Sequence, residues 1–260
     1  MAGDVFQPFN VDVKEHGRYQ YTGSNRKSSL CANRRQSDVI RDSLDWEGKK
    51  VVDVGCGDGT YTATLRDETA AASILGIDPA QEAIDYARST HLPARRGLAF
   101  RAGFARDLLA EGEQFDIAVY RGVIHHVADQ AREIQDALAL AKEVFILEPN
   151  GWNPILKLLE RYSAYHIQHK EQSFRLGQHK RWIRSGGGEV VSVHVFGLVP
   201  FFCPDWMVLV CSALEPVVER IPVLRMIACG QTGIVARRQT SKHDVYQASA
   251  QRKRRGMPRA

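Results

Sequence analysis

Cysteine is scarce here: Cys31, Cys56, Cys203, Cys211 and Cys229 are the five among 260 residues. The number is odd and no pair has C-x-x-C spacing. That excludes a disulfide-stapled miniprotein and the common zinc and dithiol motifs, and leaves free thiols in a reducing compartment as the simplest reading. A net excess of either charge is also nearly missing from the body. The chain carries 35 basic and 30 acidic residues, a net of +5. Residues 237–260 hold eight basic side chains against the single acid Asp244, a net of +7, which leaves the other 236 residues at −2. A faintly acidic body gives no electrostatic reason to expect nucleic acid as partner. The basic run at 239–260 reads as a solvated, disordered tail. Met1 to Asn10 has no basic stretch followed by an apolar run, so no signal peptide is expected and the expected compartment is the cytoplasm. A clean apolar span is missing too. Val190 to Leu214 is long enough to cross a bilayer, but it contains His194, Pro200, Pro204 and Asp205. A carboxylate near the centre of a span costs about 2.5–3.5 kcal/mol on insertion scales. A strand followed by an apolar cap explains the stretch better, with weak contact at a membrane surface as the weaker alternative.

What is present is an ordinary globular balance, 44% apolar and 25% charged, arranged in alternation. A first helix is expected over 29–44, with Leu30, Val39, Ile40 and Leu44 as its apolar positions. Short buried runs at 50–54, 73–78, 98–102, 115–120 and 143–147 read as strands. Helical stretches at 60–67, 80–89, 104–110, 129–141 and 154–165 separate or follow them. Strands alternating with helices imply βαβ units and a mostly parallel, doubly wound sheet with helices on both faces. Gly186-Gly187-Gly188 reads as a flexible joint before a valine-rich strand at 189–199. Residues 233–236 read as a seventh strand, and 200–230 as an apolar insertion between these two.

The strongest signal is Asp53-Val54-Gly55-Cys56-Gly57-Asp58-Gly59-Thr60, joining the first strand to the next helix. Open α/β sheets bind ligands at that end of a parallel strand. Glycine lets the backbone turn sharply and approach a ligand. The spacing is G-x-G-x-G, not the G-x-G-x-x-G of a dinucleotide loop. Asp53 and Asp58 flank the turn and would repel a pyrophosphate, which prefers a bare helix N-terminus. Asp78 ends the second strand, 19 residues after Gly59, where a carboxylate accepts from ribose hydroxyls. A ligand with a ribose, a positive charge and no phosphate describes S-adenosylmethionine.

This loop, with Gly76-Ile77-Asp78, Phe115-Asp116 and His125-His126-Val127, resembles the class I S-adenosylmethionine-dependent methyltransferases. The likeness is to their small-molecule, ubiquinone/menaquinone-biosynthesis-like branch. It covers residues 49–150 well and continues weakly through Glu148-Pro149-Asn150-Gly151. It implies a Rossmann-like seven-stranded sheet whose last strand is inserted antiparallel. It also implies cofactor contacts from Gly55, Cys56, Gly57 and Gly59, from Asp53 near the ammonium, and from Asp78 with Pro79 at the ribose. Arg121 and Gly122 would border the methionine part through their backbone. The family often places an acidic residue before a small one at the adenine; here the matching pair is Phe104-Ala105, a departure, with Asp107 as a weak substitute.

Methyl transfer needs alignment and exclusion of water, and an acceptor hydroxyl also needs a base. His125 or His126 is the expected base, with packing or helix capping as the alternative. His166, His169 and His179 lack acidic or cysteine partners at ligand spacing, so no metal is expected. They read as solvated or acceptor-pocket residues. Cys56 reads as a small buried residue. Neither an Asn-Pro-Pro-Tyr stretch nor a Pro-Cys nucleophile occurs, which favours a small acceptor over nucleic acid. Tyr19 and Tyr21, on an arm at 1–28, with Trp152, Tyr165 and His166, are the expected substrate contacts. Acceptor-covering segments are expected near 152–188, which also holds Tyr162, Phe174 and Trp182, and near 200–230. Leu156, Leu158 and Leu159 are expected in the core. The expected reaction is methyl transfer to an apolar or aromatic metabolite, releasing S-adenosylhomocysteine. A membrane-held quinone or lipid acceptor, or a cofactor-binding regulator without turnover, are the alternatives.

Overall fold

The computed structural model describes residues 24–163 and 172–239. Tyr19, Tyr21, Tyr165, His166 and His169, most of the arm and nearly all of the basic tail lie outside the described residues. The short apolar runs fold as parallel strands: β1 Lys50–Val54, β2 Ser73–Asp78, β3 Leu98–Ala102, β4 Phe115–Arg121 and β5 Ala141–Pro149. Helices α1 Lys27–Asp42, α2 Thr60–Glu68, α3 Gln81–His91, α4 Ala105–Ala110 and α5 Gln130–Leu140 precede or connect them. After β5 come α6 Pro154–Tyr162, α7 Leu176–Ser185, β6 Gly188–Phe196, α8 Asp205–Val218, α9 Pro222–Ala228 and β7 Gln231–Arg238. The sheet order is β3-β2-β1-β4-β5-β7-β6. β7 lies between β5 and β6 and is antiparallel to both.

Both faces of the sheet are covered, and the strands show it residue by residue. Val52, Ala118, Tyr120, Val144 and Ile146 join one apolar cluster with α4, α5 and Ile183 of α7. Val51, Ile117, Val119, Phe145 and Leu147 join the other with α1, α2 and α3. Side chains that alternate between two dry layers must be apolar on both faces, which is why these strands read as continuous runs.

Four local expectations are corrected. Leu30 is 55% exposed: α1 buries Ser28, Ser29, Ala32, Asn33, Gln36, Val39 and Ile40, and the polar members of that stripe set its rotation. Leu158 and Leu159 are exposed rather than core, because α6 buries no residue. It is anchored by its first turn, where Asn153 accepts from the Ile155 and Leu156 N–H groups. Residues 176–185 form a helix where none was expected. The triple glycine is a helix-ending turn rather than a flexible joint: Gly186 and Gly187 donate to the Trp182 and Arg184 carbonyls, and a Cβ on Gly188 would come within 2.7 Å of Leu138. Val190–Leu214 is split between β6 and α8, and among the described residues no helix is long and apolar enough to cross a membrane.

Candidate functional site

The turn after β1 is built by three glycines in the left-handed region, Gly55 (φ 73°), Gly57 (φ 55°) and Gly59 (φ 75°), where a Cβ is strained. The Ile77 carbonyl accepts from Gly55 (2.8 Å) and Cys56 (3.0 Å), which pins the turn to the end of β2. Asp78 closes it: Oδ2 accepts from the Gly57 N–H and Oδ1 from the Ala80 N–H beyond Pro79, each at 2.9 Å. Two ionised oxygens offer about four acceptor directions, so ribose hydroxyls can still be accepted. Asp78 is buried but retains 8% exposure.

The other two acids are used inside the fold. Asp58 Oδ1 accepts from the Thr60 N–H at 3.0 Å, so this carboxylate caps the start of α2. Asp53 accepts from the Thr62 hydroxyl at 2.6 Å. Burial pushes the Asp53 pKa up to about 6; the Thr62 bond and Arg121 oppose that, and the like charge of Asp78 adds to it. Burial also raises Asp78, with Asp58 contributing. Three carboxylates therefore crowd one turn, with Asp78 disfavouring the ionised form of Asp53 and Asp58 that of Asp78, a field that a cation relieves and an anion worsens. Burial and the same three acids hold the Cys56 thiol well above its usual pKa, so Cys56 is a packing residue and not a nucleophile.

Arg121 extends away from the turn. Its guanidinium donates to Gln36 Oε1 (3.2 Å), Ser37 Oγ (3.0 Å) and the Asn33 carbonyl (3.1 Å) of α1 and lies 3.7 Å from the Tyr61 ring centroid. Its donors fasten α1 to the sheet, and its charge acts on the buried Asp53. Phe104 lies at the start of α4 under the Arg106 guanidinium, at 4.2 Å. Asp107 accepts from the Phe104 N–H at 2.8 Å and so serves the helix start. Ala105 is buried.

Across the turn, Val123 packs on Gly55, where a Cβ would come within 2.4 Å of it. The next residues are held by a group that sequence reasoning did not assign a role, Glu148 at the end of β5. Oε1 accepts from the Val123 and Ile124 N–H groups at 3.0 and 2.9 Å; Oε2 accepts from the His125 N–H at 3.1 Å and lies 2.7 Å from His125 Nδ1. Glu148 is 1% exposed. Burial opposes its charge, but His125, His179 and the backbone donors hold its pKa below the usual carboxylate range. A carboxylate closing the apolar run Val144–Leu147 was the available signal. An ionised Glu148 at 2.7 Å keeps a proton on His125 Nδ1 and leaves Nε2 as the ring nitrogen that can give or take one. His126 stacks on His125 with ring centroids 3.9 Å apart. His179 is fully buried and edge-on to Phe174 and Trp182. Among the described residues neither of its ring nitrogens has a hydrogen-bond partner, and its burial corrects the expectation of a solvated histidine. Trp152 is half-exposed under Arg175, at 4.3 Å. Among the described residues no group of His, Cys, Asp and Glu could hold a metal.

Residues 51–151 match the family model described as a methyltransferase domain. The ubiquinone biosynthesis O-methyltransferase of Bordetella pertussis is 33% identical over 106 residues, 40% of this chain and 41% of that protein. The enzyme of the same name from Rhizobium etli is 39% identical over 84 residues, 32% of this chain and 33% of that one. The chain thus spans about two fifths or less of these curated relatives. Among solved structures, magnesium protoporphyrin IX methyltransferase from Synechocystis PCC 6803 aligns with a TM-score of 0.63 at 15% identity, over 91% of this chain and 97% of that one. The cyclase SpnF aligns with a TM-score of 0.59 at 18% identity, over 92% and 94%. The fold is therefore shared with proteins whose names give different reactions, and the site must carry the functional argument.

Proposed function

We propose that this chain is a class I S-adenosylmethionine-dependent methyltransferase that binds S-adenosylmethionine on the β1–α2 turn and methylates a hydroxyl of a small apolar or aromatic molecule. One observation carries the cofactor reading: Asp78 holds the glycine turn through Oδ2 on the Gly57 N–H and the chain beyond Pro79 through Oδ1 on the Ala80 N–H, with Asp53 and Asp58 buried beside it and the Arg121 donors committed to α1. That donor set suits a cationic nucleoside and has no partner for phosphate. Gly55, Gly57 and Gly59 would line the cofactor, with Asp78 on the ribose and Asp53 and Arg121 behind the methionine end. Phe104 and Ala105 would lie at the adenine. When bound, the cofactor supplies a methyl group already activated on a sulfonium. The chain's task is then to position the acceptor and take its proton. Glu148 would orient His125 through Nδ1, leaving His125 Nε2 to take the proton of the acceptor hydroxyl, while the cofactor would give up its methyl group to that oxygen and leave as S-adenosylhomocysteine. The names of the curated relatives support oxygen as the acceptor atom. α6, α8 and α9, together with Trp152, would border the acceptor.

Calorimetry is expected to show S-adenosylmethionine bound in preference to NADH or ATP. Replacing Asp78 with alanine should weaken that binding by roughly 1–3 kcal/mol, the cost of unpaired ribose hydroxyls. Preference for NADH or ATP refutes the cofactor reading. Absence of S-adenosylhomocysteine release in any metabolite fraction refutes turnover.

A further inference from the structure

Two serines in the first turn of α1 are left without partners. Ser28 and Ser29 are fully buried, and among the described residues neither hydroxyl has a hydrogen-bond partner. Alanine would fill the same space and favour the helix more, so two orphaned hydroxyls at this point call for a partner from outside the fold. The backbone there is equally unsatisfied. The Leu30 N–H donates to the Arg26 carbonyl, but the N–H groups of Lys27, Ser28 and Ser29 have no carbonyl within the helix. No side chain caps the start of α1, and no acid stands in its first turn. Helical side chains lean toward the N-terminus, which turns both hydroxyls toward these free N–H groups.

The start of α1 stands beyond the carboxyl edge of the sheet. Ser29, Asn33 and Gln36 share one face of the helix, and Asn33 and Gln36 accept from Arg121 at the end of β4. Ser29 lies one turn further out than Asn33, and the first residue of the helix about 9 Å further out. α8 runs beside α1 in the same direction: Lys27 meets Asp205, Cys31 meets Ser212, and Arg35 meets Glu215 and Glu219. The start of α8, one of the helices placed around the acceptor above, therefore lies at the same edge. The charge of Asp205 is matched by Lys27 at 3.0 Å, and the Arg26 guanidinium lies 5.7 Å from the Phe202 ring centroid. Free N–H groups, two hydroxyls that can donate, the positive end of a helix dipole and a neighbouring guanidinium together suit an anion. We infer that the start of α1 binds a carboxylate, and that this carboxylate belongs to the acceptor, which makes the acceptor an apolar or aromatic acid. The cofactor's amino-acid end, placed above beside Asp53 and Arg121, lies more than a helical turn short of these serines. The inference rests on the proposed methyl transfer for the acceptor's role and on α1 alone for the carboxylate site.

The test is calorimetry on the full chain, with and without S-adenosylhomocysteine, using phenylacetate and its uncharged counterpart phenylacetamide as probes. Phenylacetate is expected to bind, and the amide about tenfold or more weaker. Ser28→Ala combined with Ser29→Ala should erase that preference without lowering the thermal melt, since alanine suits a helix, and should leave S-adenosylmethionine affinity unchanged. Arg26→Gln should weaken phenylacetate severalfold. Absence of phenylacetate binding, equal binding of acid and amide, or a preference that survives the double alanine variant overturns the inference. A double variant that weakens S-adenosylmethionine but not decarboxylated S-adenosylmethionine overturns it in favour of the cofactor's own carboxylate. A chain that binds phenylacetate through these serines but binds no S-adenosylmethionine supports the carboxylate site and refutes the cofactor reading, so the two failures are distinguishable.

Discussion

Replacing Glu148 with glutamine changes one oxygen to an NH2 and almost no volume, yet it strikes four contacts at once. Each carboxylate oxygen serves two of them: Val123 and Ile124 N–H on Oε1, His125 N–H and Nδ1 on Oε2. With its NH2 toward Val123 and Ile124 the amide loses two charge-assisted bonds, and with it toward His125 it loses one and keeps the Nδ1 contact only by exchanging the ring's tautomer, each such bond being worth about 1.5–3 kcal/mol. Removing a buried charge returns part of that through relieved desolvation, so a net loss of about 2–4 kcal/mol is expected in urea unfolding at neutral pH. The pH dependence carries a sign. Glu148 has its folded pKa below its unfolded value, so its contribution is present above the ordinary carboxylate range and is lost as pH falls through the folded value. The gap between wild type and variant should therefore close on acidification. The chemical consequence is separate from stability. With an amide NH2 toward Nδ1, that nitrogen becomes the acceptor and Nε2 carries the proton, which removes the base. Imidazole ¹⁵N spectra should report the exchanged tautomer, and turnover should fall by about 10–100-fold with cofactor affinity retained. An unchanged His125 tautomer, or a stability loss under about 0.5 kcal/mol, would refute the assigned role of Glu148.

Asp53 has its folded pKa raised to about 6 from 3.8, so the folded state holds the proton more tightly and stability falls as pH rises between these values. Asp53→Asn should flatten that slope. Its stability relative to wild type should improve by about 2 kcal/mol from pH 4 to pH 7 in paired denaturation curves; parallel curves would discard the shift. A cationic ligand favours ionised Asp53, so S-adenosylmethionine affinity measured by calorimetry should rise with pH through about 6 in wild type and stay flat in Asp53→Asn. Gly59→Ala combines a left-handed φ with a Cβ 2.7 Å from the Phe100 ring and 2.8 Å from Ala87, and should cost about 2–4 kcal/mol. Gly48→Ala, left-handed but with open space around it, should cost about 1–2 kcal/mol; equal losses at the two positions would show that the contact with Phe100 and Ala87 does not matter.

The ends of β1, β2 and β3 are readable from the chain itself, because each is a short, largely apolar run closed by glycine, aspartate or a small residue. The glycine turn is readable for a related reason: three left-handed positions within five residues admit little else. The antiparallel last strand was available only through the family resemblance, since nothing in residues 231–238 states which neighbours they will pair with. Other features depended on topology. Arg121 meets residues of α1 more than 80 positions earlier. Glu148 meets His125 across 23. Residues 200–230 are apolar in composition, but only the fold reveals that Glu215 and Glu219 turn inward to Arg35 while Leu209, Val210 and Leu214 face outward. Periodicity over ten residues reports which face of an element is apolar. What that face meets is set by chain crossings that bring distant segments together, and those crossings leave no local mark on the sequence.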